Sequence, residues 1–501
     1  MLTVYAATRY HDWINETIAS EDRLGELVRV VDYLDEKPKP SAHSLVVKED
    51  AVYSTLDWYD LLPPYLLPQK LEARSEYLLA LLFARLNNYE RVYFYLADLN
   101  PSLNQELDIV NRLQHGLTIN PEDLVSEYNE YDEYRLMHNH GVVRHYGVAE
   151  ADHEQTKYYY LQALESAPTA EHRAYSARQF GSLLIDEGEL EDAVRVLSIG
   201  LASAESDEAK TALRHALCQA RMQLLTVPYD QTLLKTLKED LWTVLQAYEA
   251  QNRPLETALV LVDAGTIANY DESWSEGLGY LSRAITLLED EEMPGLMADA
   301  NLRKGILLYS WAQQDNPQFF RPAAEALQRA ARTFSRDEAP LVYADIQNRL
   351  GLVYSEIPDE AKKKGMWAAV SSTAFQEALT IYTPEDHPYE YAMVCNHYGN
   401  ALTKYPEAKL TDNTEKALFY YQEALAIRKA ETMPLERSLT LLNYLEAQWN
   451  LGMPEDRFDL TRYNDMRSRA EEVIAISPDP KLIDEANIHL DKLGQLRAAY
   501  A

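Results

Sequence analysis

Pro340-Leu-Val-Tyr-Ala-Asp-Ile-Gln-Asn-Arg-Leu-Gly351-Leu-Val-Tyr354 can be laid on Pro388-Tyr-Glu-Tyr-Ala-Met-Val-Cys-Asn-His-Tyr-Gly399-Asn-Ala-Leu402 with an offset of 48 residues. Both stretches run on into a charged loop holding a proline, Pro358 or Pro406. Phe375, Ala378 and Leu379 follow in one copy, Tyr421, Ala424 and Leu425 in the other. A fixed period of 20 to 50 residues marks a chain of stacked supersecondary units, here pairs of amphipathic helices. Proline suits the first turn of the first helix, where its missing N–H would have no partner. The glycine further along costs about 1 kcal/mol against alanine inside a helix and needs a packing reason. The second helix supplies one in its small-large-small-large order (Ser371, Phe375, Ala378, Leu379; Ala417, Tyr421, Ala424, Leu425), which suits close approach of the two helices.

Outward from this pair, the prolines keep time at 254, 294, 340, 388, 434 and 480. A further copy reads Gly181, Leu184, Gly188, Ala193, Leu197, Gly200, Leu201, and another Gly141, Thr156, Tyr160, Ala163, Leu164, Pro168. Between Gly181 and Gly305 the intermediate markers are expected at Ala220 and Ala264. The repeat grammar begins near Ser75. Before it, Trp13, Ile14, Thr17, Ile18 and then Leu24, Leu27, Val28, Val31, Leu34 have helical spacing, Lys37-Pro-Lys-Pro40 breaks the pattern, and Leu61-Leu-Pro-Pro-Tyr-Leu-Leu-Pro68 reads as a stiff extended connection. The organisation expected is a divergent helical cap over 1–70, a repeat array over 71–478 and a closing helix over 479–501, in which Ile483, Ala486, Leu490 and Leu493 share an apolar face.

The order of small and bulky residues resembles the tetratricopeptide repeat, in a long-repeat, bacterial-type form. The copy at Gly181 has the family's standard spacing, while repeats after Gly305 carry surplus residues at 311–319, 356–367 and 404–416. These read either as longer helices with looser turns or as a ridge contacting a partner. The resemblance implies an all-α, right-handed superhelical solenoid of about ten antiparallel helical hairpins, with Gly141, Gly181, Gly305, Gly351 and Gly399 at contacts within hairpins. It also implies a non-catalytic scaffold or adaptor that binds a protein or peptide in a concave groove. Carried over position by position, the groove includes Arg135, His138, Tyr146, Arg178, Ser182, Asn348, Asn396, Asn400 and Lys404. Of these, Arg135, Arg178, Asn348, Asn396, Asn400 and Lys404 are the candidate binding residues; the asparagines either bond a ligand backbone or are solvated polar positions.

Composition narrows the alternatives. The 501 residues carry 80 acidic against 47 basic side chains, a formal net charge of −33, which disfavours nucleic acid and anionic lipid surfaces. Such acidity either keeps a long solenoid soluble or fits a basic partner. No apolar run approaches the length of a membrane span, and Met1–Arg9 lacks the features of a secretory signal, so a cytoplasmic protein is expected. Cys218 and Cys395 are read as buried thiols. No cofactor is implied and no metal site is expected: His138, His140 and His145 are spread too far around a helix to share an ion. No catalytic motif appears. Two other readings remain, a regulator that responds to a small ligand or peptide, and an enzyme with its site in residues 1–70.

Overall fold

The timing prolines open helices. In the computed structural model, which describes residues 1–36, 38, 43–59, 62–124, 130–406, 412–451 and 458–500, Pro254, Pro294, Pro340, Pro388, Pro434 and Pro480 are each the first residue of a helix. Beyond residue 72 the described chain is helical hairpins and their connections, an all-α array. It divides into two compact units, Met1–Glu256 and Thr257–Ala501.

The first unit begins with strands β1 (Leu2–Ala6), β2 (Val28–Asp32), β3 (Ser44–Lys48), β4 (Ala51–Ser54) and β5 (Lys70–Glu72) and helix α1 (His11–Ala19). It continues with α2 (Ser75–Arg85), α3 (Tyr89–Leu96), α4 (Pro101–Gln114), α5 (Glu130–Gly147), α6 (His153–Ser166), α7 (Ala170–Asp186), α8 (Leu190–Ser203), α9 (Asp207–Gln223) and α10 (Gln231–Ala250). Helix α11 (Pro254–Tyr270) crosses the division. The second unit holds α12 (Trp274–Asp290), α13 (Pro294–Ala312), α14 (Phe320–Thr333), α15 (Pro340–Glu356), α16 (Ala361–Leu379), α17 (Pro388–Lys404), α18 (Asn413–Ile427), α19 (Pro434–Asn450), α20 (Leu460–Ile476) and α21 (Pro480–Ala499).

The helical cap expected over 1–70 is corrected to a five-stranded sheet of order β2-β1-β3-β4-β5, parallel between β1 and its two neighbours and antiparallel beyond β3. Trp13, Ile14, Thr17 and Ile18 do form a helix, α1. Val28-Arg-Val-Val-Asp32 pairs with β1 instead, Val30 opposite Val4. Its run of β-branched residues suits a pleated, buried surface, and a short apolar run has no periodicity that decides between helix and strand. The sheet shares a core with α2, whose residues Leu78–Ala84 are all buried because one side meets the sheet and the other the next helices. Lys37, Lys39 and Pro40 of the expected break, and Leu61 of the expected connection, lie outside the described residues.

Close approach within hairpins is borne by missing Cβ atoms. A Cβ on Gly141 would lie 2.8 Å from the Tyr160 ring, one on Gly181 2.4 Å from Leu197, one on Gly305 2.7 Å from Leu327, one on Gly351 2.8 Å from Phe375 and one on Gly399 2.5 Å from Tyr421. The marker expected at Ala264 is displaced by one residue: a Cβ on Gly265 would lie 2.6 Å from Leu281. At the far end α21 buries Leu482, Ala486, His489 and Leu493, so its inward face is turned from the expected one and Ile483 and Leu490 sit at its edges. His489 is drawn inward because its Nδ1 accepts a hydrogen bond from Trp449 Nε1 (2.9 Å).

Gly351→Ala is expected to lower stability by about 1–3 kcal/mol, since even one methyl group must displace the Phe375 ring. Gly279→Ala, in the interior of α12 with nothing within 4 Å of the new carbon, should raise stability by up to about 1 kcal/mol. Urea denaturation of both variants checks the opposite signs.

Candidate functional site

In the second unit the first helices of successive hairpins lie side by side, so residues one repeat apart in sequence meet laterally. His397 Nδ1 donates to Asn348 Oδ1 (3.1 Å), and Asn443 Nδ2 donates to Asn396 Oδ1 (3.2 Å). Asn348 and Asn396 are only 2% and 8% exposed. Two of the asparagines predicted to face a ligand therefore bond the neighbouring repeat, because a buried amide left without a partner would cost about 1–3 kcal/mol. Asn400 is half-buried and accepts from Tyr421 OH (2.7 Å). Lys404 is exposed and pairs with Glu356 one repeat back (2.6 Å). Beside them Asn400, Thr403, Lys404, Asn443, Glu446 and Asn450 border a hollow of about 230 Å³.

The surplus segments line up in part. Trp311 stacks on Phe319 (centroids 4.0 Å apart), and Arg321 at the start of α14 pairs with Asp359 (2.8 Å), which also accepts from Trp367 Nε1 (3.1 Å). Gln313 Nε2 donates to Glu356 Oε2 (3.5 Å), which ties the segments at 311–319 and 356–367 together. Residues 407–411 of the third lie outside the described residues.

In the first unit, Arg135 is not offered to a partner. It is 2% exposed and bonds both Glu106 and Asp132 (Nε to Oδ1, 3.1 Å). Buried carboxylates require such a cation, and its removal would leave them uncompensated. The groove positions around it are occupied from within the chain. Leu62-Pro-Pro-Tyr-Leu-Leu-Pro68 runs without helix or strand across α5 and α7. Asn139 holds it with a two-way bond, Oδ1 accepting from Leu66 N and Nδ2 donating to Leu66 O, both 2.8 Å. Tyr131 OH donates to Leu67 O (3.2 Å), and His138 Nε2 donates to Pro64 O (2.7 Å). A carbonyl only accepts, so Nε2 carries the proton; burial pushes the His138 pKa down to about 4, leaving Nδ1 free to accept from Ser176 Oγ (2.8 Å). Asp57 fixes the start of the segment by accepting from Tyr59 N (3.1 Å) and Leu62 N (3.0 Å).

Arg178, Ser182 and Tyr146 share a hollow of about 330 Å³ with Leu62, Pro63 and Pro64. The structure thus gathers four carried-over groove positions, His138, Tyr146, Arg178 and Ser182, about the proline segment. Asn139, one residue from a carried-over position, was missed. Its signal was a poor helix former in the interior of a helix beside an extended proline-rich run. His140 stacks on Tyr159 (4.6 Å) and His145 Nε2 meets Asp186 (2.9 Å), so the three histidines of α5 each have a separate setting.

No protein-family model and no curated protein matches this chain. Among solved structures it is similar to YrrB, a TPR protein with an unusual peptide-binding site (18% identity, TM-score 0.28, 46% of this chain and 94% of that one). It is similar also to human IFIT1, solved as a dimer with m7Gppp-AAAA (14%, 0.45, 85% and 82%), and to yeast Tom70 (11%, 0.38, 84% and 82%). At these identities the likeness concerns the fold alone.

Asn396→Ala is expected to lower stability by about 1–3 kcal/mol, although alanine is the better helix former, because Asn443 loses its partner; a thermal melt reads the sign. Burial also pushes the His397 pKa down to about 4. In the unfolded chain histidine titrates near 6.5, so as pH falls from 7 the unfolded state takes up protons first. Stability should decline from about pH 6.5 and level off below about pH 4, His138 and His397 each contributing on the order of 1–3 kcal/mol. His397→Gln, which keeps a donor for Asn348, should remove part of that decline in urea midpoints measured across the range.

Proposed function

We propose that this chain is a non-catalytic scaffold that holds protein partners as extended segments against the first helices of its repeats. The observation that carries the reading is the grip on Leu66. The array already binds one extended, proline-rich segment through paired backbone bonds to a side-chain amide. Amide-to-backbone pairing recognises any sequence in extended form, and neighbouring hollows add selectivity through side chains.

In the second unit the corresponding open place is the hollow bordered by Asn400, Lys404, Asn443 and Asn450. The excess of 33 negative charges favours a partner rich in lysine and arginine and disfavours nucleic acid. Both cysteines are buried and neither is in a disulfide, in keeping with a reducing, cytoplasmic setting. Among the described residues no helix is long and apolar enough to cross a membrane.

Peptides selected from a random display library on the immobilised protein should be enriched in basic residues and bind as extended chains. The double variant Lys404→Ala/Asn450→Ala alters two exposed side chains and should leave the melting temperature within about a degree, since exposed ion pairs contribute little. It should weaken the selected peptides roughly tenfold, as the loss of one or two hydrogen bonds implies. Undiminished binding measured by calorimetry would remove this surface from the proposal.

A further inference from the structure

The first unit contains a second, more enclosed space that the scaffold reading does not use. A cavity of about 330 Å³ lies between the end of β4, residues 55–58 and 62–69, and the helices α2, α3, α4, α5 and α7. Its wall is mainly apolar and aromatic: Leu66, Leu107 and Val110 line it together with Tyr53, Tyr131 and Tyr175. A volume at the low end of the usual range for ligand pockets suits a compact molecule of one or two rings.

The polar groups of the wall differ in how they are engaged. Asp57 spends its carboxylate on Tyr59 N and Leu62 N, and Glu171 spends its own on Glu205 N and Ser206. Arg85 bonds Leu81 O and Ser54 Oγ and, though burial draws its pKa down to about 10, stays charged at neutral pH. Three other wall residues have no hydrogen-bond partner among the described residues for a buried polar atom: Trp58 Nε1, Tyr65 OH and Tyr89 OH. They are 1%, 7% and 7% exposed, and Trp58 and Tyr89 supply the donors used below. Trp58 is fixed in place, its ring edge-on to Tyr175 with centroids 5.2 Å apart. Buried donors are almost always paired in folded proteins, and one left unpaired is a standing penalty that a ligand acceptor relieves.

We propose that this cavity binds a small molecule with an aromatic body and a carbonyl or carboxylate oxygen, the ring packing on the apolar wall and the oxygen accepting from Trp58 Nε1 and Tyr89 OH. The acceptor is required because an indole N–H can only donate. The carboxylates of the wall are already committed to backbone N–H groups of the protein itself, so they do not compete for those donors. This site is separate from the peptide surface of the second unit, and its failure would leave the scaffold reading untouched.

The test uses two bicyclic probes of matched size, coumarin, which carries carbonyl oxygen, and naphthalene, which carries none, titrated into the full chain by ligand-observed NMR. Coumarin is expected to saturate at one site per chain and to bind at least fivefold more tightly than naphthalene. Tyr89→Phe should lower coumarin affinity severalfold and leave naphthalene unchanged, while the melting temperature of the unliganded protein stays the same or rises, because the variant deletes an unpaired hydroxyl. Trp58→Phe, which removes the N–H and keeps an aromatic ring, should shift the coumarin-to-naphthalene ratio in the same direction. Absence of saturable coumarin binding would overturn the proposal. So would a ratio unchanged in both variants, or a marked loss of stability in Tyr89→Phe, which would mean the hydroxyl already has its partner.

Discussion

The array depends on carbon atoms that are absent. Where Gly141, Gly351 and Gly399 stand in first helices, an aromatic ring of the second helix fills the place of a side chain; at Gly181, Gly265 and Gly305 a leucine does so. A repeat array is stabilised only by contacts within a unit and with its neighbours, so the close approach has to be remade in every hairpin. That is why glycine recurs in register with the helix-opening prolines, and why the displacement from Ala264 to Gly265 matters little: what is conserved physically is the gap, which one residue of rotation can relocate.

Polar groups tie the helices together both within and between hairpins. Tyr405 OH reaches Ser371 Oγ, which itself bonds the carbonyl of Gly351; Tyr382 OH reaches Leu341 O and Tyr391 OH reaches Glu423. In two layers of helices few side chains are far from water or backbone, so a ring that buries its face and satisfies a hydroxyl at its rim is more useful than one without. This accounts for 35 tyrosines beside nine phenylalanines. The Asn348–His397 and Asn396–Asn443 bonds belong to the same layer, where burial holds His397 neutral.

At the N-terminal end the solenoid problem is solved differently. An array needs something to cover the exposed face of its first hairpin, and here a twisted sheet and α1 share a core with α2, while the proline segment fills the groove over α5 and α7. Proline fits that place because an extended backbone lying in a groove has its carbonyls bonded from one side and needs few N–H groups of its own.

What the sequence by itself determined was the local and periodic part: helices opened by proline, hairpins closed over glycine, and the repeat from Ser75 to the C-terminal helix. These follow from residues within a few turns of one another and from a spacing that recurs. What only the tertiary structure decided were pairings between distant segments. Val28–Asp32 becomes a strand because Leu2–Ala6 is there to bond it, and its own apolar spacing suits either state. Asn348 and Asn396 look like groove residues by position, yet partners one repeat away turn them into ties between repeats. Arg135 is a binding residue by position and a buried counter-ion in fact, because Glu106, on another helix, must be neutralised where it is buried. A side chain's position on its helix is written in the chain, whereas the partner that claims it is set by which segments the fold brings within bonding distance.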